Sequence, residues 1–248
     1  APVSSTRSTE SSSIQSAIDS AAQNSLIIIP AGAPRTEAGI TITDKDLTIR
    51  GGGARNTIVQ AASTPCSLPD RVFHIDGSRV SIEDLTIQNG CVLNANQSAV
   101  GGGIWSEGSL TLERVIIQNN TVVYSELAST SETAGTDETA AAASIPRGGG
   151  IFAVGSLKII NSSIISNSVS STDGHAMGGG LYNNGTAHII NSTFSGNAMV
   201  CVAAHATLDL LTDEVIARVA QVGDRFRRRL ADALGQHSLF AGVRGAGL

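Results

Sequence analysis

The sequence predicts an all-β solenoid: short parallel strands stacked turn upon turn, with helical segments at its two ends. Three observations predict it. First, one block recurs. Gly101-Gly102-Gly103-Ile104-Trp105, Gly148-Gly149-Gly150-Ile151-Phe152 and Gly178-Gly179-Gly180-Leu181-Tyr182 each lead into a Gly turn, an alternating apolar strand and an Asn-containing corner. Second, hydrophobic residues make up 41% of the chain but aromatics only 3%, with 27 glycines, so the core must be built of thin aliphatic layers. Third, the apolar strings between the blocks alternate with period two, as half-buried strands do. A single block has one apolar stripe and cannot bury it alone. The next block laid on it completes the core and pairs its backbone.

Taken in order, Ser12 or Ser13 can cap a short helix over Ile14–Ala22, with Ile14, Ala17, Ile18 and Ala21 on one face. Leu26–Ile29 is a buried strand that Pro30-Ala31-Gly32 ends. Ile40-Thr41-Ile42, Leu47-Thr48-Ile49, Ile58-Val59, Val72–Ile75 and Val80–Ile82 are further strands, and Leu85-Thr86-Ile87 echoes Leu47-Thr48-Ile49. The Gly-Gly-Gly blocks follow. Ser125–Pro146 has few large apolar residues and reads as a loop thrown out of the repeat. Glycines serve the bends, where positive φ or close backbone approach is needed. Asn89, Asn119 or Asn120, Asn161, Asn167, Asn191 and Asn197 are corner or ladder residues, because Asn tolerates left-handed backbone and stacked amides hydrogen-bond along an axis. After Asn197 the pattern stops. Val202, Leu208, Leu211, Val215, Val219, Val222, Phe226 and Leu230 follow helical spacing, which predicts helices over about 200–211 and 213–234. The domain division is therefore 1–197, with the 125–146 insert, and 198–248.

The formal net charge of −5 argues against wholesale nucleic-acid binding. Residues 1–197 carry 10 Lys and Arg against 16 Asp and Glu, whereas 198–248 carry 6 against 5. The basic run Arg225, Arg227, Arg228 and Arg229 reads as a solvated helix face. No apolar run reaches a membrane span. Cys66 and Cys91 flank one turn and form a disulfide if the protein is exported; otherwise they are two small apolar residues. No Cys or His spacing suggests zinc.

Gly148-Gly149-Gly150-Ile151 and Asn191-Ser192-Thr193-Phe194-Ser195-Gly196-Asn197 resemble the repeats of right-handed parallel β-helix proteins of the pectate-lyase-like superfamily, especially non-enzymatic bacterial surface and secreted members. The likeness covers about 12–197. It implies a right-handed parallel β-helix with an N-terminal capping helix, and a secreted or cell-surface domain acting as a stalk, an adhesin or a carbohydrate-binding surface. Its partners would be glycans or surface proteins. The alternative it implies is a polysaccharide lyase or glycoside hydrolase. Residues 193–248 resemble a fragment of class III pyridoxal-phosphate aminotransferases of the acetylornithine and ornithine type, through Thr193–Ala204, Ala206-Thr207-Leu208-Asp209 and Val243–Leu248. That resemblance implies that Ser192 and Thr193 stand where the family holds a cofactor phosphate. Ala198 replaces the family's Pro, and the Schiff-base Lys and the Asp of the pyridine nitrogen lie in parts this chain lacks. The expectation is an appendage inactive by itself, with no cofactor bound. The Asn191–Asn197 string satisfies both patterns, as it would after a gene fusion, a recombination or assembly error, or a deliberate chimera.

Among candidate sites, no catalytic set emerges. Asp44 and Asp46 share an outward turn and could hold Ca²⁺, but a solvated turn is the preferred reading. Arg50 and Arg79 are candidate lyase bases, while Asp76, Glu83 and Asp84 do not recur in register. His74, His175 and His188 lack triad spacing. Asn96, Asn119, Asn161, Asn184 and Asn191 begin Asn-x-Ser/Thr sequons, which such a repeat produces by chance. Trp105, Phe152 and Tyr182 occupy one position in the three blocks. They form a stacked ladder, and become the ligand platform of choice if they face outward.

Overall fold

A computed structural model describes residues 6–8, 13–94, 99–124, 145–172, 175–195 and 213–234. The chain divides into two compact units, 1–197 and 198–248. The first is built from four sheets, named A to D here, whose strand pairs are all parallel.

The chain enters through β1 (Thr6–Ser8), a six-residue helix α1 (Ile14–Asp19) and β2 (Ser25–Ile29). Then β3 (Arg35–Thr36) opens sheet B and β4 (Ile40–Thr43) opens sheet C. The next pass runs β5 (Leu47–Gly51) in sheet A, β6 (Ile58–Gln60) in B and β7 (Phe73–Asp76) in C. It is followed by β8 (Arg79–Glu83), β9 (Thr86–Gln88), β10 (Cys91–Asn94) and β11 (Ile104–Ser106), which visit A, B, D and C. The same visit order repeats through β12 (Ser109–Glu113), β13 (Ile116–Gln118), β14 (Thr121–Tyr124) and β15 (Ile151–Ala153). It repeats again through β16 (Ser156–Ile160), β17 (Ser163–Ile165), β18 (Ser168–Ser171) and β19 (Leu181–Asn183), and ends with β20 (Thr186–Ile190) and β21 (Thr193–Ser195). Each strand pairs with its counterpart one pass away, an arrangement compatible with a parallel β-helix.

Period-two alternation makes the core. In sheet A, Leu47, Val80, Leu110 and Leu157 lie in register, as do Ile49, Ile82, Leu112 and Ile159. In sheet C the inward column is Ile40, Phe73, Ile104, Ile151 and Leu181; in sheet B it is Val59, Ile87, Ile117, Ile164 and Phe194. Most of these side chains are fully buried in one continuous cluster, to which Ile14, Ala17, Ile18 and Ala21 also belong. Each fully buried Ile or Leu stabilises the fold by about 1.5–3 kcal/mol relative to exposure. The last rung is different: Ile189, Ile190 and Phe194 are 47%, 51% and 41% exposed.

Corners are set by left-handed residues. Asp84, Arg114, Asn161 and Asn191 have φ of 56°, 54°, 49° and 47° and form one column between sheets A and B. The first glycine of each triplet, Gly101, Gly148 and Gly178, has φ of 61° to 65°. The second is needed for proximity: a Cβ on Gly102 would lie 2.5 Å from the Gly149 carbonyl oxygen and 2.6 Å from that of Thr121. Amide ladders tie the passes together. Asn120 and Asn167 are buried, and Asn167 Oδ1 accepts from both the backbone N–H and Nδ2 of Asn120, at 3.0 and 2.9 Å. On the outside of sheet B, Gln118 donates to Gln88, Gln88 to Gln60, and Gln60 to Thr36.

One expectation needs adjustment, one feature is new and several expected features lie outside the described residues. The first helix is shorter than Ile14–Ala22; it stops at Asp19, where Ser20 donates its backbone N–H and hydroxyl to the last carbonyls. A fourth sheet, D, was not foreseen. The insert 125–146 falls outside the described residues except for Ile145 and Pro146, and the helix expected over 200–211 lies wholly outside them, as do Asn96 and Asn197. In the second unit, α2 (Asp213–Leu234) has the expected bounds, with Phe226 59% exposed and Arg225, Arg228 and Arg229 exposed. Among the described residues, no helix is long and apolar enough to cross a membrane.

Candidate functional site

Alternation that sends Ile104 and Ser106 inward sends Trp105 outward. The same parity governs every strand of sheet C. Thr41, His74, Trp105, Phe152 and Tyr182 are in register and form one outward column. The His74 and Trp105 rings stack with centroids 4.2 Å apart and planes 19° apart; Phe152 and Tyr182 stack at 5.5 Å and 4°. All four rings are half-buried. Because the ring faces cover one another within each of these two pairs, the column offers mainly ring edges to solvent.

Two arginines line the N-terminal side of this strip. The Arg71 guanidinium lies 4.7 Å from the Trp105 ring centroid, and that of Arg147 lies 5.3 Å from Tyr182. Each is within cation–π range. Both precede a sheet C strand: Arg71 leads into β7, and Arg147 leads through Gly148–Gly150 into β15 and bridges Val100 and Met177. Arg71 Nη2 donates to the Val100 carbonyl at 3.3 Å. Burial lowers the Arg71 pKa from its ordinary value, and the neighbouring Asp70 carboxylate opposes that shift. Arg71 Nε, Trp105 Nε1 and Arg147 Nε are buried donors without a hydrogen-bond acceptor. On the other side of the strip, Glu107 lies 3.4 Å from His74 Nε2. The surface therefore combines apolar edges, cationic groups and one carboxylate.

The outward-facing possibility foreseen for Trp105, Phe152 and Tyr182 is the geometry found. His74, Arg71 and Arg147 complete the column and were missed. Val72-Phe73-His74 lacks the glycine triplet that flagged the other three members. The Arg signal was present in the sequence as a basic residue at the mouth of two of the sheet C strands.

The carboxylates lie elsewhere. Arg114 pairs with Asp84 through Nε–Oδ1 at 2.6 Å and Nη2–Oδ2 at 2.9 Å, and also contacts Glu113. Arg50 pairs with Glu83 at 2.8 Å. The hydrogen bond from Arg114 is the main cause that lowers the Asp84 pKa, and the Asp84 bond in turn raises that of Arg114. Asp46 accepts from the Arg79 backbone N–H at 2.8 Å and lies 3.5 Å from its guanidinium, so both are engaged in a turn. Asp44 occupies a left-handed corner with φ of 50°, its carboxylate over Gly77. No cluster of three or more His, Cys, Asp or Glu that could hold a metal ion occurs among the described residues.

Cys66 and Cys91 are joined by a disulfide, with Cα atoms 5.0 Å apart. It fastens residues 61–72 beside β10, where Cys91 N–H also donates to the Asp70 carbonyl at 2.8 Å. Ser192 Oγ donates to the Ile190 carbonyl and accepts from the Ser162 N–H, and Thr193 opens β21. These two are thus occupied as corner and strand. His188 stands on exposed β20. Comparison with known proteins returned no match to a protein-family model, to a curated protein or to a solved structure.

Proposed function

We propose that residues 1–197 form a right-handed parallel β-helix that serves outside the cell, secreted or held at the surface, as a non-catalytic domain with sheet C as its carbohydrate-binding face. One observation carries this reading: the outward column His74–Trp105–Phe152–Tyr182 with Arg71 and Arg147 laid over two of its rings. A polyhydroxyl chain has apolar C–H patches that can lie along the apolar strip, and oxygens that suit its electropositive ring edges and accept from the guanidinium N–H groups. Such sites are mainly apolar surfaces with a few directed polar groups. The disulfide Cys66–Cys91 fits an oxidising compartment. The main outward carboxylates are spent on arginines, as Asp84 and Glu83 are on Arg114 and Arg50, which favours binding over hydrolysis.

The test is a glycan panel probed with the intact chain, with Tyr182→Ala and with Arg147→Ala. Binding to at least one extended glycan that both substitutions weaken is expected, without product release. Turnover of polygalacturonate or another polymer would replace this reading with the lyase or hydrolase one. A folded protein that binds nothing on the panel would leave the stalk role alone.

A further inference from the structure

Residues 61–72 run from β6 to β7 and deliver Arg71 to its place over Trp105. Hydrogen bonds tie both ends of this segment to the coil. At the first, Ala61 N–H donates to the Gln88 carbonyl at 3.3 Å, and Asn89 Nδ2 donates to the carbonyls of Ala62 and Ser63 at 3.0 and 3.4 Å. At the second, the Asp70 and Arg71 carbonyls accept from Cys91 N–H and Gly39 N–H, both at 2.8 Å. Between them, the hydrogen bonds of residues 64–69 among the described residues stay inside the segment: Ser67 N–H and Oγ donate to the Thr64 carbonyl, and Asp70 N–H donates to that of Leu68. The tie from this middle stretch to β10 is covalent, from Cys66 to the buried Cys91. Cys66 also holds a left-handed backbone, with φ of 59°. Residues other than Gly, Asn and Asp keep that conformation mainly where their surroundings impose it.

The seat of Arg71 is one that its side chain gains little by occupying. Its Nε is buried without an acceptor, and its Nη2 reaches the Val100 carbonyl only at 3.3 Å. Burial strips water from the guanidinium, and the Trp105 ring returns part of what is lost. A guanidinium released from this seat regains water at every nitrogen. The backbone that leads to Arg71 therefore holds it there. Arg147 is seated differently. Its N–H donates to the Ala99 carbonyl at 3.0 Å, its carbonyl accepts from Gly101 N–H at 3.1 Å, and it bridges Val100 and Met177 within the coil itself.

We propose that the Cys66–Cys91 disulfide is the positioning device for Arg71, which lies over Trp105 in the oxidised chain and swings into solvent when the bond is reduced. The exchange balances with a dithiol as reductant. The dithiol loses two electrons and closes to its own cyclic disulfide, the Cys66–Cys91 S–S bond breaks, and each cysteine sulfur takes one of the two protons. Freed from Cys91, Cys66 returns to right-handed backbone, and the slack reaches Arg71 five residues further on. Sheet C thereby has two states: it carries Arg71 and Arg147 when oxidised, and Arg147 alone when reduced. What this does to glycan binding rests on the function proposed above; the placement of Arg71 does not.

The test reads Trp105, the single tryptophan, by acrylamide quenching with no ligand present. Four full-length chains, all carrying Cys201→Ser, form a cycle: the disulfide-bonded chain, its Arg71→Ala variant, a disulfide-free chain with Cys66→Ala and Cys91→Val, and the two changes combined. Cys91→Val keeps an apolar side chain at a fully buried position. Arg71→Ala uncovers the indole, so quenching should rise in the disulfide-bonded chain. The disulfide-free chain should show the same rise, and Arg71→Ala should add nothing to it. An Arg71→Ala step of undiminished size in the disulfide-free chain overturns the proposal. So does a disulfide-free chain quenched no more than the bonded one, or a bonded chain indifferent to Arg71→Ala. Should the disulfide-free chain lose its β-sheet circular dichroism, two glycines inserted between Leu68 and Pro69 slacken the tether with the disulfide kept. Quenching should rise there too, and an unchanged value is equally decisive against the proposal. Because no ligand enters the measurement, a failed cycle overturns this inference and leaves the carbohydrate reading standing, whereas a silent glycan panel does the reverse.

Discussion

Asn167→Ala probes the interior amide ladder most sharply. Asn167 is 1% exposed, and its side chain makes three hydrogen bonds: from Asn120 N–H, from Asn120 Nδ2 and to the Ile117 carbonyl at 2.9 Å. Alanine removes all three and leaves Asn120 N–H and the Ile117 carbonyl without the partner they had. Each net bond contributes about 1 kcal/mol, and an orphaned buried group costs about 1–3 kcal/mol. The expected loss is therefore about 3 kcal/mol. Urea unfolding followed by circular dichroism measures it, with the midpoint falling and the slope preserved. Asn161→Gly is the matched control on the same pass. Asn161 is exposed, sits at φ 49°, and accepts from Asn191 Nδ2 at 2.7 Å. Glycine suits that backbone, so the net change should stay within about 0.5 kcal/mol. A loss below about 0.5 kcal/mol for Asn167→Ala would refute the claim that the ladder ties one pass to the next.

Three further outcomes follow from the same geometry. Cys66→Ser with Cys91→Ser should cost about 3.5 kcal/mol by the chain-entropy relation for the 25-residue separation, read as a lower urea midpoint. Gly102→Ala should fall at the upper end of the roughly 1–3 kcal/mol overpacking range, since its Cβ would meet two backbone oxygens that cannot swing away; melting temperature reports it. Asp84 has its folded pKa lowered by Arg114, so its contribution is present above the unfolded value, near 3.8, and is lost as pH falls through the folded value. Asp84→Asn should accordingly flatten the acid limb of the stability profile below about pH 4, while an unchanged limb would show the pair to be inert.

Much of the fold was legible because its signals are local. Ile49, Ile82, Leu112 and Ile159 announce strands by alternation, and Gly101, Gly148 and Gly178 announce the corners that need positive φ. Sheet D was hidden because its strands Cys91–Asn94 and Thr121–Tyr124 follow the Asn corners too closely to stand out as separate elements. The end of α1 was misjudged because Ala21 and Ala22 extend the helical pattern, whereas Ser20 draws the carbonyls of Ser16 and Ala17 to its own hydroxyl. For the candidate site, Trp105, Phe152 and Tyr182 were found through the repeat. Arg71 and His74 were not, since their pass has no glycine triplet; only the register with β11 brings them beside Trp105.

The chain contains a single tryptophan, and it lies in the middle of the proposed binding face. Trp105 is therefore its own reporter. The most direct measurement is a titration of its fluorescence with soluble extended glycans, beside simple monosaccharides as controls. A carbohydrate-binding sheet C predicts a saturable change in intensity or wavelength with at least one extended glycan, weakened by Tyr182→Ala and Arg147→Ala. Binding detected by calorimetry with no change at Trp105, or a change that those substitutions leave untouched, would contradict the account.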